Sequence, residues 1–101
     1  MRILLVNPPL DASSEGTYEK FMPHIGLGYL SAYLLQKGID CQVMDAKFLG
    51  VGLSAVVKRV EDLKPDVVGI TTMTEEFRSA SLVARRVKEL DPQVCCIVGG
   101  P

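Results

Sequence analysis

The chain has 101 residues, of which 48% are hydrophobic, and sets 11 Lys and Arg against 12 Asp and Glu. That length supports one domain with one core, and the near balance of charge argues against nucleic acid or an anionic membrane as an obligate partner, since both are held largely by a basic surplus. No apolar run approaches the roughly 20 residues that cross a bilayer, and the "ILLV" after Met1-Arg2 is too short for a signal-peptide core, so no membrane association and a cytoplasmic location are expected.

The first element is a β-branched and aliphatic run, Ile3 to Asn7, which reads as a strand. A long stretch without periodicity follows, Pro8 to His24, rich in Gly, Ser, Asp and Glu; a connection of that length in a small domain is commonly functional. It is expected to cover a ligand edge and to be mobile when empty. Ile25 to Lys37 then reads as a helix with Leu27, Leu30 and Leu34 on its apolar stripe and Gly38 as its stop. A second strand, Asp40 to Met44, leads to a helix over Leu53 to Lys64, whose Leu53, Val56, Val57, Val60 and Leu63 share a face closed by Pro65. Val67 to Thr71 is the third strand. Glu75 to Leu90 is the third helix, with Phe77, Ala80, Val83, Ala84, Val87 and Leu90 on its buried stripe, and Val94 to Val98 the fourth strand.

Strands this continuously apolar are covered on both faces, as parallel strands are. Their alternation with helices gives a doubly wound, Rossmann- or flavodoxin-like α/β fold, an open parallel sheet in the order 2-1-3-4. Gly99-Gly100-Pro101 looks like the start of a loop after strand four. Since flavodoxin-like sheets have five strands, the chain reads as an N-terminal fragment, residues 1–101, lacking the fifth strand and last helix. Strand four would then expose an edge and favour self-association. Cys41, Cys95 and Cys96 form no C-x-x-C pair, and neighbours on a strand point to opposite faces, so they read as buried structural thiols without a metal or a disulfide.

Three ligand motifs can be tested. Gly26-Leu27-Gly28-Tyr29-Leu30-Ser31, with Asp45 further on, resembles a dinucleotide fingerprint. That fingerprint needs its first glycine directly after strand one, whereas Gly26 arrives about nineteen residues after Asn7. Gly26, Gly28, Ser31 and Ala32 read instead as the small side of a helix, open to the sheet or to something inserted against it, and Asp45 keeps a polar-cap role. A receiver-type cation site needs acids where this chain has Asn7-Pro8-Pro9 and Thr71-Thr72. A flavodoxin phosphate loop finds only Ser13 to Thr17, displaced and interrupted by Glu15.

In open α/β sheets ligands sit beyond the carboxyl ends of the strands, at the switch point. Here that edge carries Asn7, Pro8 and Pro9, then Thr71, Thr72, Met73 and Thr74, with Gly99 and Gly100 beyond strand four. With Thr74 as the cap and Glu75 and Glu76 already answering the helix dipole, an anionic phosphate would meet like charge. A large neutral ligand bearing amides suits the edge better. The same residues also have simpler uses: Thr74 as a cap, Thr71 and Thr72 as a strand end, the glycines as a turn.

The segments "NPP", Pro23 to Gly38 as P-x-x-G-L-G-Y-L-S-A-Y-L-x-x-x-G, "KPDVVGITTMT" and "VCCIVGGP" together resemble the cobalamin (B12)-binding domain that lies N-terminal to the catalytic domain of many radical SAM enzymes. The resemblance covers almost the whole chain in order. It implies a corrin over the strand ends, with its nucleotide tail beside strands three and four. Thr71-Thr72-Met73 matches the family's S-x-L position, and Gly99-Gly100 its glycine pair. It also implies a C-terminal radical SAM domain carrying S-adenosylmethionine and a 4Fe–4S cluster, with a methyltransferase-like reaction; the C-x-x-x-C-x-x-C run for that cluster is absent from this chain. The D-x-H-x-x-G pattern whose histidine holds cobalt in methionine-synthase-like domains is also absent. The one histidine, His24, is therefore not assigned to the metal and reads as a loop residue leading into the first helix. A scaffold or interaction domain without cofactor, and a module for another small ligand or nucleotide, are the alternative readings.

Overall fold

The structure, a computed structural model, describes residues 1–9, 24–72 and 77–99. Its elements are β1 (Arg2–Asn7), α1 (Ile25–Gln36), β2 (Asp40–Asp45), α2 (Ala46–Leu49), α3 (Leu53–Leu63), β3 (Val67–Thr71), α4 (Phe77–Leu90) and β4 (Cys95–Gly99). The strands form one parallel sheet in the order β2-β1-β3-β4, as the alternation of strands and helices predicts. No helix among the described residues is long and apolar enough to cross a membrane.

The pleat divides the strand residues between two faces. Leu4, Val6, Met44, Val68 and Ile70 pack with Val56 and Val60 of α3 and Ala80, Val83 and Val87 of α4 in one continuous cluster. On the opposite face Leu5 and Cys41 meet Leu27 of α1, with Ile3, Val43 and Leu34 half-buried around them. Among the described residues, β1 and β2 serve both layers, whereas β3 and β4 pack into the first cluster alone, so the expectation that every strand is covered on both faces holds only for the β1–β2 half.

The helix ends follow local chemistry. After α1, Gly38 takes φ +80°, and the amide of Ile39 donates to the Leu34 carbonyl at 2.9 Å, a Schellman closure that favours glycine. Lys64 ends α3 at φ 50°, the one non-glycine residue with positive φ among those described. That conformation costs a side-chain-bearing residue roughly 1–2 kcal/mol, and the buried Pro65 that follows bars any further turn. The short α2, unmarked in the apolar periodicity, exists because Asp45 caps it at one end and Gly50 closes it in the left-handed region at the other.

Several expectations need correction. β4 starts at Cys95, not Val94, because the Val94 amide turns back to the Asp91 carbonyl at 3.2 Å while the Cys95 amide opens the ladder to Asp66 at 3.0 Å. Phe77 and Leu90, placed on the buried stripe of the third helix, are 60% and 41% exposed. They are the terminal residues of α4 and reach past its packed middle. Of the three thiols only Cys41 is buried; Cys96 is half-buried against the α4 layer, and Cys95 is exposed on the α1 face, at the strand α1 does not cover.

Candidate functional site

At the carboxyl ends of the strands, Asn7 and Asp45 stand opposite each other in register, and the Asn7 side-chain amide donates to Asp45 Oδ1 at 2.8 Å. The other carboxylate oxygen accepts the backbone amide of His24 at 2.7 Å, and Oδ1 also takes the Phe48 amide at 3.2 Å. One carboxylate thus ties together the end of β1, the entry to α1 and the cap of α2. The polar-cap role expected of Asp45 is what the geometry shows, and it consumes the Asn7 amide group that the sequence offers to a ligand.

His24 is the N-cap of α1: its Nδ1 accepts the Leu27 amide at 3.1 Å. Gly26 makes room for this ring, since a Cβ there would stand 3.1 Å from His24 Cε1. Gly26, Gly28 and Ala32 are exposed and Gly28 has open space around it, so these small residues of α1 are not packed against the sheet.

Between the first turn of α1 and the sheet lies a groove of about 350 Å³. His24, Gly26, Leu27 and Leu30 form its wall; Leu5, Gly69, Thr71, Ile97 and Gly99 form its floor. The floor follows from register, with Leu5 beside Gly69, Gly69 beside Ile97, and Thr71 beside Gly99. A Cβ at Gly69 would stand 3.0 Å from Leu5 Cδ2, a tight contact that the end of the leucine side chain would have to yield to, while one at Gly99 would meet nothing within 4 Å. A cavity of about 350 Å³ also opens at the opposite end of the sheet, between the last turns of α3 and α4. It has no glycine in its lining and lies away from the strand ends where ligands collect in such sheets.

The structure therefore brings Thr71 and Gly99 together in the groove, with the Thr72 amide bonded to the Gly99 carbonyl at 2.9 Å just beyond it. Pro8 and Pro9 are fully buried, and the Pro9 carbonyl accepts the buried Ser79 hydroxyl of α4 at 2.7 Å, so this segment shapes the α4 side. Met73, Thr74, Gly100 and most of the loop from Pro8 to His24 lie outside the described residues. Leu5, His24, Leu27, Leu30, Gly69, Ile70 and Ile97 line the groove without having been site candidates from the sequence. Gly69 carried a signal, because a glycine inside a strand pattern marks a close approach.

The model of a B12 binding domain matches residues 16–101. The chain belongs to the B12-binding domain family. It is 31% identical over 101 residues to an uncharacterized methyltransferase of Pyrococcus horikoshii, covering 100% of this chain and 22% of that protein. It is 28% identical over 101 residues to an anaerobic magnesium-protoporphyrin IX monomethyl ester cyclase of Rubrivivax gelatinosus, covering 99% of this chain and 18% of that protein. The chain thus spans about a fifth of the length of the curated relatives it matches.

Proposed function

We propose that this chain binds cobalamin in the groove between α1 and the β3–β4 half of the sheet, and serves a radical SAM catalytic domain that lies in the same protein. The observation that carries the reading is a family match joined to a groove whose floor is bare backbone at Gly69 and Gly99. The residues present fit the group. Leu5, Leu27 and Ile97 offer an apolar surface to the flat base of the nucleotide tail, Thr71 offers a hydroxyl at the upper end, and Gly99 leaves the space a tail needs. Thr72, Met73, Thr74 and Gly100 would complete the contact with the corrin edge, over the polar knot of Asn7 and Asp45. Bound here, cobalamin supplies cobalt-centred methyl transfer or radical chemistry. The chain's own part is to hold and orient the corrinoid, since its sequence lacks the cysteine triplet of an iron–sulfur site. S-adenosylmethionine and a 4Fe–4S cluster belong, on this reading, to the catalytic domain, and the methyltransferase among the relatives favours methyl transfer. The β4 edge would also pair with a second copy where nothing else covers it; sedimentation that stays monomeric at high concentration overturns that part.

The test is a titration with hydroxocobalamin followed by the corrin absorption spectrum. Wild type is expected to bind, and Gly99→Val to lose binding while its circular dichroism and unfolding midpoint stay unchanged, because the new side chain enters open space. A wild type that leaves the spectrum unchanged overturns the reading in favour of a scaffold without cofactor. Flavin mononucleotide or NAD binding in its place would mark a different small-ligand module.

A further inference from the structure

His24 occupies an unusual position for the single histidine of a chain, because it is at once a helix cap and part of the groove wall. Its place is held from two sides. The backbone amide is anchored to Asp45 at 2.7 Å, and Nδ1 accepts the Leu27 amide at 3.1 Å. A neutral imidazole whose Nδ1 lone pair is taken carries its proton on Nε2. The lone pair a metal would need is thus committed to the cap, and Nε2–H is left as a donor.

Resting on the cobalamin reading above, we propose that His24 is a ligand-positioning residue that donates from Nε2–H to an acceptor oxygen on the nucleotide arm of the corrinoid. The arm is the part in question because His24 lines the same groove as Gly69 and Thr71, whereas the corrin edge would lie over the strand ends. Asp45 and Gly26 serve this placement, the first by fixing the backbone of His24 and the second by leaving room for its ring. The cap selects the tautomer, and the tautomer makes the imidazole a donor.

Two measurements test this. Long-range 15N–1H correlation on histidine-labelled wild type is expected to show a protonated Nε2 and a bare Nδ1; a proton on Nδ1 overturns the proposal. His24→Asn keeps a side-chain oxygen suited to capping but cannot extend a donor as far. It is expected to unfold at the wild-type midpoint and to bind hydroxocobalamin about fivefold more weakly, the scale of one neutral hydrogen bond. With cobinamide, which lacks the nucleotide arm, the variant and wild type are expected to bind alike. Equal affinity of His24→Asn and wild type for hydroxocobalamin overturns this inference alone, as does an equal loss with cobinamide. A wild type that binds no corrinoid overturns the cobalamin reading, and this inference with it.

Discussion

The two faces of the sheet are built from the same strands and end in different states. Among the described residues, the face under α3 and α4 gathers twelve buried residues from Leu4 to Val94 into one cluster, and the face under α1 gathers three, Leu5, Leu27 and Cys41. β4 shows the difference most sharply: Cys96 packs into the filled layer, while its neighbour Ile97, on the other side of the pleat, is 56% exposed. Among the described residues, two amphipathic helices close one face, whereas α1 lies over β1 and β2 and leaves the β3–β4 half uncovered. The filled face carries the core, and the uncovered half is where the proposed ligand would bind. A fold of this size can keep an apolar groove open because its second layer carries the core.

The largest effect should come from the filled face. Leu4→Ala removes a fully buried side chain from the larger cluster and is expected to lower stability by about 2–5 kcal/mol in urea unfolding, with the variant no longer giving a sharp transition if the lower layer cannot collapse around the cavity. A loss under about 1 kcal/mol would break the comparison, because a core that forgives this deletion is not the one that holds the sheet together.

The rim should respond less. Asp45→Ala leaves the buried Asn7 amide and the His24 and Phe48 amides without their acceptor, for an expected loss of about 1–3 kcal/mol. Hydrogen exchange at the amides from His24 to Leu27 should quicken while that at Val68 and Ile70 stays slow. Equal quickening at both places would show that the rim and the filled face form one cooperative unit.

On the bare half, Ile97→Ala should change stability by no more than about 0.5 kcal/mol, as for other exposed substitutions, and weaken corrinoid binding instead. The smallest effect is a difference of rate. Burial, and next to it the charge of Asp40, pushes the Cys41 thiol up; burial also raises Cys96, with Lys88 pulling the other way. Raised thiols hold less reactive thiolate near neutral pH, so iodoacetamide followed by mass spectrometry should label the exposed Cys95 first and Cys41 last, with Cys41 gaining rate as the pH rises into the alkaline range. Fast labelling of Cys41 would mean that the α1 layer opens readily.

Much of this architecture was legible because β-branched runs such as Val67 to Thr71 and Ile3 to Asn7 admit few other readings. α3 and α4 were legible because their stripes have a clear phase. α1 was not. Ile25, Leu27, Tyr29, Leu30 and Leu34 surround the helix, so periodicity alone does not say that Leu27 is buried while Tyr29 and Leu30 are exposed. Thr71 and Gly99, singled out by the rule that ligands gather at strand ends, line the groove. His24 was read as a loop residue because its cap depends on the backbone anchor at Asp45, 21 residues away.

By itself, the sequence determined the four strands and the three longer helices in their order, the stops at Gly38 and Pro65, and the family to which the chain belongs, since local period, backbone conformation and motif order are properties of neighbouring residues. Only the tertiary structure decided that the groove exists. Its floor is made by Leu5, Gly69 and Ile97 from three strands, brought into line by a ladder register that no one segment encodes. Among the described residues, it stays open because α1 packs on β1 and β2 and stops short of β4, a matter of which layer each helix joins.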